Sequence, residues 1–407
     1  MRKVFKSKSI CTPNKIIDGY LIVDDDKFFD VVLDYDGEYI DLEDKMIIPG
    51  IFDTHNHASG GYSVYKDSEE ETLNYLKNKV LKTNTSCYLK VLASLGVTSV
   101  FPTLFATKVD KEEKEVIKSL RHYIGKNLDG AKALGINFEG PFLNRTGEGS
   151  ERYIPDPINI NDIKEFVDLA DGTLSVMGLA PELDNSKEAI KLLLDRNVTP
   201  AMAHTDSKSK EARKAFDDGI SVATHTCNVM TGIHHRDIGA LGACLMDDRV
   251  YCELICDGLH VCNDMLKLIL RLKDHNKIMM ISDSSRFVGL PSGYYDFDTY
   301  KIYLDEQGRV LEGKALSGSS KGVIFGLKNL INNCDIDLLD ALHMACRVPA
   351  IKYGYNKGSI EKNFDADFVI IDSEFNVYET YVEGNKVYDS SVDSLVINPK
   401  VLERKYK

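Results

Sequence analysis

Eight short apolar runs, each closed by a polar turn, predict an α/β protein built as a (β/α)8, TIM-like barrel. Two further observations support that class. Stretches with apolar residues at three- and four-residue intervals separate many of the runs, and a length of 407 residues suits one barrel plus a smaller unit.

The first run, IIPGIFD (47–53), leads into THNHASGGY. In a strand, side chains two apart share a face, so His55 and His57 converge at its carboxyl end. That is metal-ligand spacing, but with His at 10 of 407 positions an HxH triplet arises by chance in roughly one such chain in four. The triplet therefore needs company. The second run, GVTSVFPT (96–103), precedes the helix-like KEEKEVIKSLRHYIGKNL (111–128), and the third, ALGINFEG (133–140), closes on Glu139. The fourth, LSVMGLAPE (174–182), is followed by SKEAIKLLLDRN (186–197). The fifth, VTPAMAHT (198–205), closes on His204 and is followed by KSKEARKAFDDG (208–219). The sixth, ISVATHT (220–226), closes on His225. The seventh, YCELICDG (251–258), has His260 just beyond it and then CNDMLKLILRLKDH (262–275). The eighth, KIMMISDS (277–284), closes on Asp283.

Barrel active sites lie at the carboxyl ends of the strands. Polar residues commonly end strands, which accounts for any one of these side chains. Imidazoles and carboxylates converging on one barrel mouth, however, stay repelled or unpaired unless a cation or substrate holds them, so metal ligation by several of them is expected. The remaining histidines, His122, His234, His235, His275 and His343, fall in helix-like or loop segments and are assigned solvated or structural roles. His234 and His235 abut a candidate site.

The whole chain excludes several classes. A hydrophobic share of 43% with 28% charged residues is that of a soluble globular protein, and no apolar run approaches a membrane span. The amino terminus, MRKVFKSKSICTPNK, is basic but lacks the apolar stretch of a signal peptide, so a cytoplasmic location is expected. Nine scattered cysteines without a CxxC pair read as reduced thiols, with Cys252, Cys256 and Cys262 expected in the core. A net charge of −13 argues against a broad nucleic-acid or anionic-membrane surface. Residues 15–45 and 365–391 carry β-like alternation with turn signals, so the ends are expected to form a second unit, with residues 49–357 as the barrel and residues 1–48 and 358–407 outside it.

The segments PGIFDTHNHASGGY, GVTSVFPTL, NFEGPFLN, LAPE, AHTDS, THTCNVMTGIHHRDIGALG, CDGLHV, ISDSSRFVGLPSGYY, LSGSS and KGSIEKNFDADFVIID run in order through nearly all of the chain. With them the sequence resembles the amidohydrolase superfamily and, within it, the N-acetylglucosamine-6-phosphate deacetylases. The resemblance implies that the two chain ends pair into a small β-sandwich domain. It implies that Glu139, His204 and His225 bind a divalent cation such as zinc or iron and that His55 and His57 can hold a second, giving one or two per subunit. Asp283 matches the general base and acid. His260 is implied to touch the sugar, and Asn228 and Arg236 to stand where the phosphate is held, the arginine able to reach a neighbouring subunit's site in a homodimer. The implied substrate is an amino-sugar phosphate, with acetate as one product.

Two stretches depart from the family pattern. NRTGEGSERYI replaces a basic, histidine-containing loop, with Glu151 near the expected histidine, and SSRF places Arg286 and Phe287 after the aspartate. Both are expected over the sugar. The alternatives are the same chemistry on an epimer such as N-acetylgalactosamine 6-phosphate, another amidohydrolase activity on a cyclic amide or dipeptide, or a non-catalytic barrel. Against the last stand six ligand-type side chains at strand ends, for which a scaffold has no use.

Overall fold

Branched and aromatic residues fill the eight runs, and each becomes a strand in the computed structural model, which describes residues 2–79, 82–106, 110–144, 157–298, 300–394 and 397–406. The strands Ile51–Asn56, Val97–Phe105, Ile136–Glu139, Leu174–Leu179, Thr199–Met202, Val222–Ala223, Tyr251–Ile255 and Ile278–Ile281 pair in that order, every pair parallel. The eighth strand returns to the first without a full ladder: Asp283 N–H donates to the His55 carbonyl at 2.9 Å, and Asn56 bridges Ser284. The buried Asp53 carboxylate reinforces this seam, accepting from Ser282 N–H at 3.1 Å, Ser282 Oγ at 2.5 Å and Asn56 Nδ2 at 2.9 Å.

Each strand is followed by an outer helix, from Asn84–Ser94, Lys111–Leu120 and Ile160–Ala170 through Ser186–Asp195, Ser209–Asp218, Gly239–Met246, Asn263–Leu272 and Val323–Cys334. Starts follow local chemistry. Thr83 and Ser86 form a reciprocal capping box, and Asp110 accepts from the Glu112 N–H. The helix expected over 111–128 runs only to Leu120 before a 3-10 turn, Arg121–Tyr123, and the left-handed Gly125. Phe52, Phe101, Val176, Ala201, Val222 and Met279 plug the amino end of the barrel with Val348 and Ala350. The opposite end is left to polar side chains.

Both chain ends enter one mixed eight-stranded sheet. Its path is Asn385–Asp389, Val377–Val382, Phe368–Ile371, Met46–Pro49, Arg2–Cys11, Ile16–Asp24 and Lys27–Val32, with Ile40–Asp41 beside Arg2–Cys11. Two-residue periodicity divides its side chains between two cores. Ile47, Phe368 and Ile370 join Phe5, Leu21 and Tyr381 on one face, whereas Ile48, Val369 and Ile371 join the core shared by the barrel strands and helices.

At this junction Lys357 is 4% exposed, with Nζ 2.8 Å from Asp365, 2.9 Å from Asp367 and 3.5 Å from Glu383. Burial alone would push the ammonium down. The Asp367 and Asp365 carboxylates outweigh it and hold Lys357 above the usual lysine range. Lys357→Met leaves buried carboxylate charge without its partner, so a loss of about 3–5 kcal/mol is expected, read as a fall in the urea midpoint. An unchanged midpoint would show that the cluster is solvated well enough to spare its lysine.

A further element was not foreseen from the sequence. Gly293–Asp296, Lys301–Leu304, Arg309–Glu312 and Ala315–Ser319 form an antiparallel sheet after the eighth strand, and Lys405–Tyr406 adds its edge. Phe287 of the SSRF departure belongs to this sheet's core with Leu290, Tyr295, Ile302 and Val310, its ring edge-on to Tyr295 at 5.3 Å. Its bulk thus serves packing, and Arg286 lies over the Phe297 ring. Of the NRTGEGSERYI departure, residues 145–154, Glu151 among them, lie outside the described residues. Cys252 and Cys256 are buried as expected, but Cys262 is exposed, because it stands just before the helix Asn263–Leu272 at the surface. All nine cysteines are free thiols. Among the described residues no helix is long and apolar enough to cross a membrane.

Candidate metal centre

The polar end of the barrel gathers two clusters of potential ligands, His55, His57 and Asp283 in one and Glu139, His204 and His225 in the other. Glu139 links them. Its Oε1 lies 2.8 Å from both His204 Nε2 and His225 Nε2, and its Oε2 lies 3.1 Å from His57 Nε2 and 3.4 Å from His55 Nε2. Asp283 Oδ1 stands 3.2 Å from His57 Nε2 and 3.5 Å from His55 Nε2. All six residues sit at or just beyond strand ends, where the chain leaves the barrel wall and can turn a side chain inward. Three do so with left-handed backbone: His204 at φ 44°, His225 at φ 29° and Asp283 at φ 47°. Such conformations cost non-glycine residues energy, on the order of 1–3 kcal/mol each, and collect at functional sites.

The electrostatics are those of facing acids and imidazoles held out of water. Burial works against the charged form of His57, yet the Asp283 and Glu139 carboxylates prevail and push it up to about 9. His55 is likewise raised, against its burial, by Glu139 and Glu253. Burial would also raise Asp283, but the His57 hydrogen bond and the neighbouring imidazoles hold it at about 2, and Glu139 is kept well below the usual carboxylate range by His55 and His204.

The donor set fits a divalent cation in each cluster. His55 Nε2 and His57 Nε2 face one another at 3.1 Å, as do His204 Nε2 and His225 Nε2. Two bare imidazole nitrogens at that separation repel unless a positive charge lies between them, and nitrogen with carboxylate oxygen is the donor chemistry of zinc and of iron.

The other expected site residues follow the sixth and seventh strands. His260 follows the seventh strand, its Nδ1 2.8 Å from Asp257 Oδ2, and its buried Nε2 has no hydrogen-bond partner among the described residues. Asn228 turns back on the sixth strand's end, donating from N–H and Nδ2 to the His225 carbonyl at 2.9 and 3.2 Å. Arg236 is exposed on the following loop, where its guanidinium meets the His235 ring at 2.7 Å.

Several supporting residues were missed by sequence reading. Glu253 faces His55 Nδ1 at 3.3 Å, the Thr103 carbonyl faces His57 Nδ1 at 3.2 Å, and Asp257 accepts from Ser319 Oγ at 3.0 Å as well as from His260. The available signal was an acidic residue inside or closing an otherwise apolar run, as in YCELICDG, because a buried carboxylate must have a partner.

Comparison with known proteins agrees with this geometry. The N-acetylglucosamine-6-phosphate deacetylase of Bacillus subtilis (strain 168) is 29% identical over 398 residues, 95% of this chain and 97% of that one. The N-acetylgalactosamine-6-phosphate deacetylase of Escherichia coli O157:H7 is 27% identical over 345 residues, 84% of this chain and 87% of that one. The crystal structure of N-acetylglucosamine-6-phosphate deacetylase from Pasteurella multocida superposes with a TM-score of 0.82 at 26% identity, covering 95% of this chain and 99% of that chain. The profile of the amidohydrolase family matches residues 46–387, so with two ligand clusters at the carboxyl end of a parallel barrel, the chain belongs to the amidohydrolase family.

Proposed function

We propose that the protein removes the acetyl group from N-acetylglucosamine 6-phosphate, giving glucosamine 6-phosphate and acetate. The observation that carries this reading is the shared carboxylate of Glu139 between two histidine-bearing clusters, in a chain whose relatives are named for sugar-phosphate deacetylation. Glu139, His204 and His225 hold one divalent cation, and His55 and His57 beside Asp283 hold a second. When bound, such a cation brings the pKa of water towards neutrality and polarises an amide carbonyl.

The chain's own residues handle the protons. Asp283 takes a proton from the attacking water as the water oxygen bonds to the acetyl carbon. It then passes that proton to the amide nitrogen, so that the C–N bond breaks with a neutral amine leaving. His260, steadied by Asp257, offers Nε2 to the acetamide. Asn228 and Arg236 receive the phosphate, Arg236 by its fixed fork of donors and from the neighbouring subunit of a homodimer. The chemistry belongs to residues 49–357, with residues 1–48 and 358–407 as a buttressing unit, in the cytoplasm.

The epimer N-acetylgalactosamine 6-phosphate is the second reading, favoured by the similar identity to the relative named for it. Acetate release across a panel of N-acetylated sugar phosphates decides between them: the larger kcat/KM names the substrate, and no release from any member of the panel would refute deacetylation. In the same assay Arg236→Ala is expected to weaken the phosphorylated substrate by about 1.5 to 3 kcal/mol and leave the unphosphorylated sugar nearly unchanged. Equal losses on both sugars would refute the phosphate clamp.

A further inference from the structure

Glu253 is 1% exposed in the middle of the seventh barrel strand, Tyr251–Ile255. Its neighbours Cys252 and Leu254 pack outward into the core shared with the helices, so alternation turns Glu253 into the barrel interior. There Oε1 accepts from Thr54 Oγ1 at 2.9 Å, and Oε2 stands 3.3 Å from His55 Nδ1. Among the described residues His55 is the one ion-pair partner Glu253 has. A carboxylate so deeply buried, with neither lysine nor arginine beside it, is costly unless other positive charge balances it.

We infer that Glu253 is a positioning residue that presents His55 to the second cation and sets how tightly this chain holds it. The inference rests on the two-cation reading above. An ionised carboxylate can only accept, so the proton of a neutral His55 ring resides on Nδ1, leaving the Nε2 lone pair bare. That Nε2 is the nitrogen lying 3.1 Å from His57 Nε2 and 3.4 Å from Glu139 Oε2. Thr54 fixes the other carboxylate oxygen, so the ring is oriented from two points on adjoining strand positions. His57 turns its own Nδ1 to a neutral partner, the Thr103 carbonyl. His55 is thus backed by full negative charge, which raises the basicity of a ligand and with it the affinity for a cation.

The test titrates metal-free protein with zinc(II) in competition with a chromophoric chelator and counts bound zinc by atomic emission after dialysis. Wild-type protein is expected to bind two zinc ions. Glu253→Leu is expected to weaken one of them roughly 10- to 100-fold and leave the other unchanged, matching the step lost in His55→Ala. Glu253→Gln, which keeps an acceptor oxygen but no charge, is expected to fall between, and it carries the test if the leucine variant fails to fold. Two wild-type affinities in Glu253→Gln and Glu253→Leu overturn the inference, as does equal weakening of both ions. Wild-type protein that retains a single zinc also overturns it while leaving deacetylation standing, whereas wild-type protein that binds no zinc and releases acetate with every cation removed refutes the metal-dependent reading itself.

Discussion

Glu139→Gln is expected to empty at least one cation cluster and to lower acetate release by on the order of 10³ or more. Both carboxylate oxygens are committed, Oε1 to His204 and His225 at 2.8 Å and Oε2 to His57 and His55 at 3.1 and 3.4 Å. An amide has one acceptor oxygen and one donor nitrogen, so glutamine must turn N–H groups towards one histidine pair and removes the negative charge from between both. Residue volume scarcely changes, so the fold is retained. Metal counting by atomic emission on dialysed protein, alongside the acetate assay, checks the result. A variant with wild-type metal content and turnover would remove Glu139 from the centre.

The second large effect separates proton transfer from ligation. Asp283→Asn is expected to reduce kcat by on the order of 10² to 10⁴, the scale for losing a general acid–base group, while the cation held by Glu139, His204 and His225 remains. Asparagine fits the left-handed backbone at this position, since it tolerates positive φ better than most residues. Loss of function would therefore report on chemistry more than on strain. If the variant lost metal and regained full turnover on resupply, Asp283 would be a ligand and not the carrier of the proton.

Much of the candidate site was legible because the potential ligands occupy strand ends, and strand ends can be located from the runs of Val, Ile, Leu and Phe that precede them. Glu139, His204, His225 and Asp283 each close such a run, and one face of an extended chain brings His55 and His57 together. Glu253 escaped for the opposite reason: it sits within the strand, where its direction depends on which face of YCELI turns inward, and that is fixed only by the neighbouring strands. The sheet formed by Gly293–Ser319 escaped because its strands are four or five residues long and half-exposed, so their alternation is short and their partner, Lys405–Tyr406, lies about a hundred residues away in sequence. While that sheet is unknown, Phe287 reads only as part of a stretch expected over the sugar. Once Tyr295 and Ile302 are in place, it is the side chain that fills the sheet's inner face.

The left-handed backbones of His204, His225 and Asp283 carry an evolutionary consequence. Glycine would relax each of these positions, so a library of variants sorted for heat resistance alone should drift towards glycine there and shed activity as it gains stability. Purifying pressure on function must oppose that drift continually. A lineage released from it would be expected to lose its barrel-mouth chemistry at these three codons while the apolar plug of Phe52, Phe101 and Met279 persisted, leaving a sturdier barrel without a reaction.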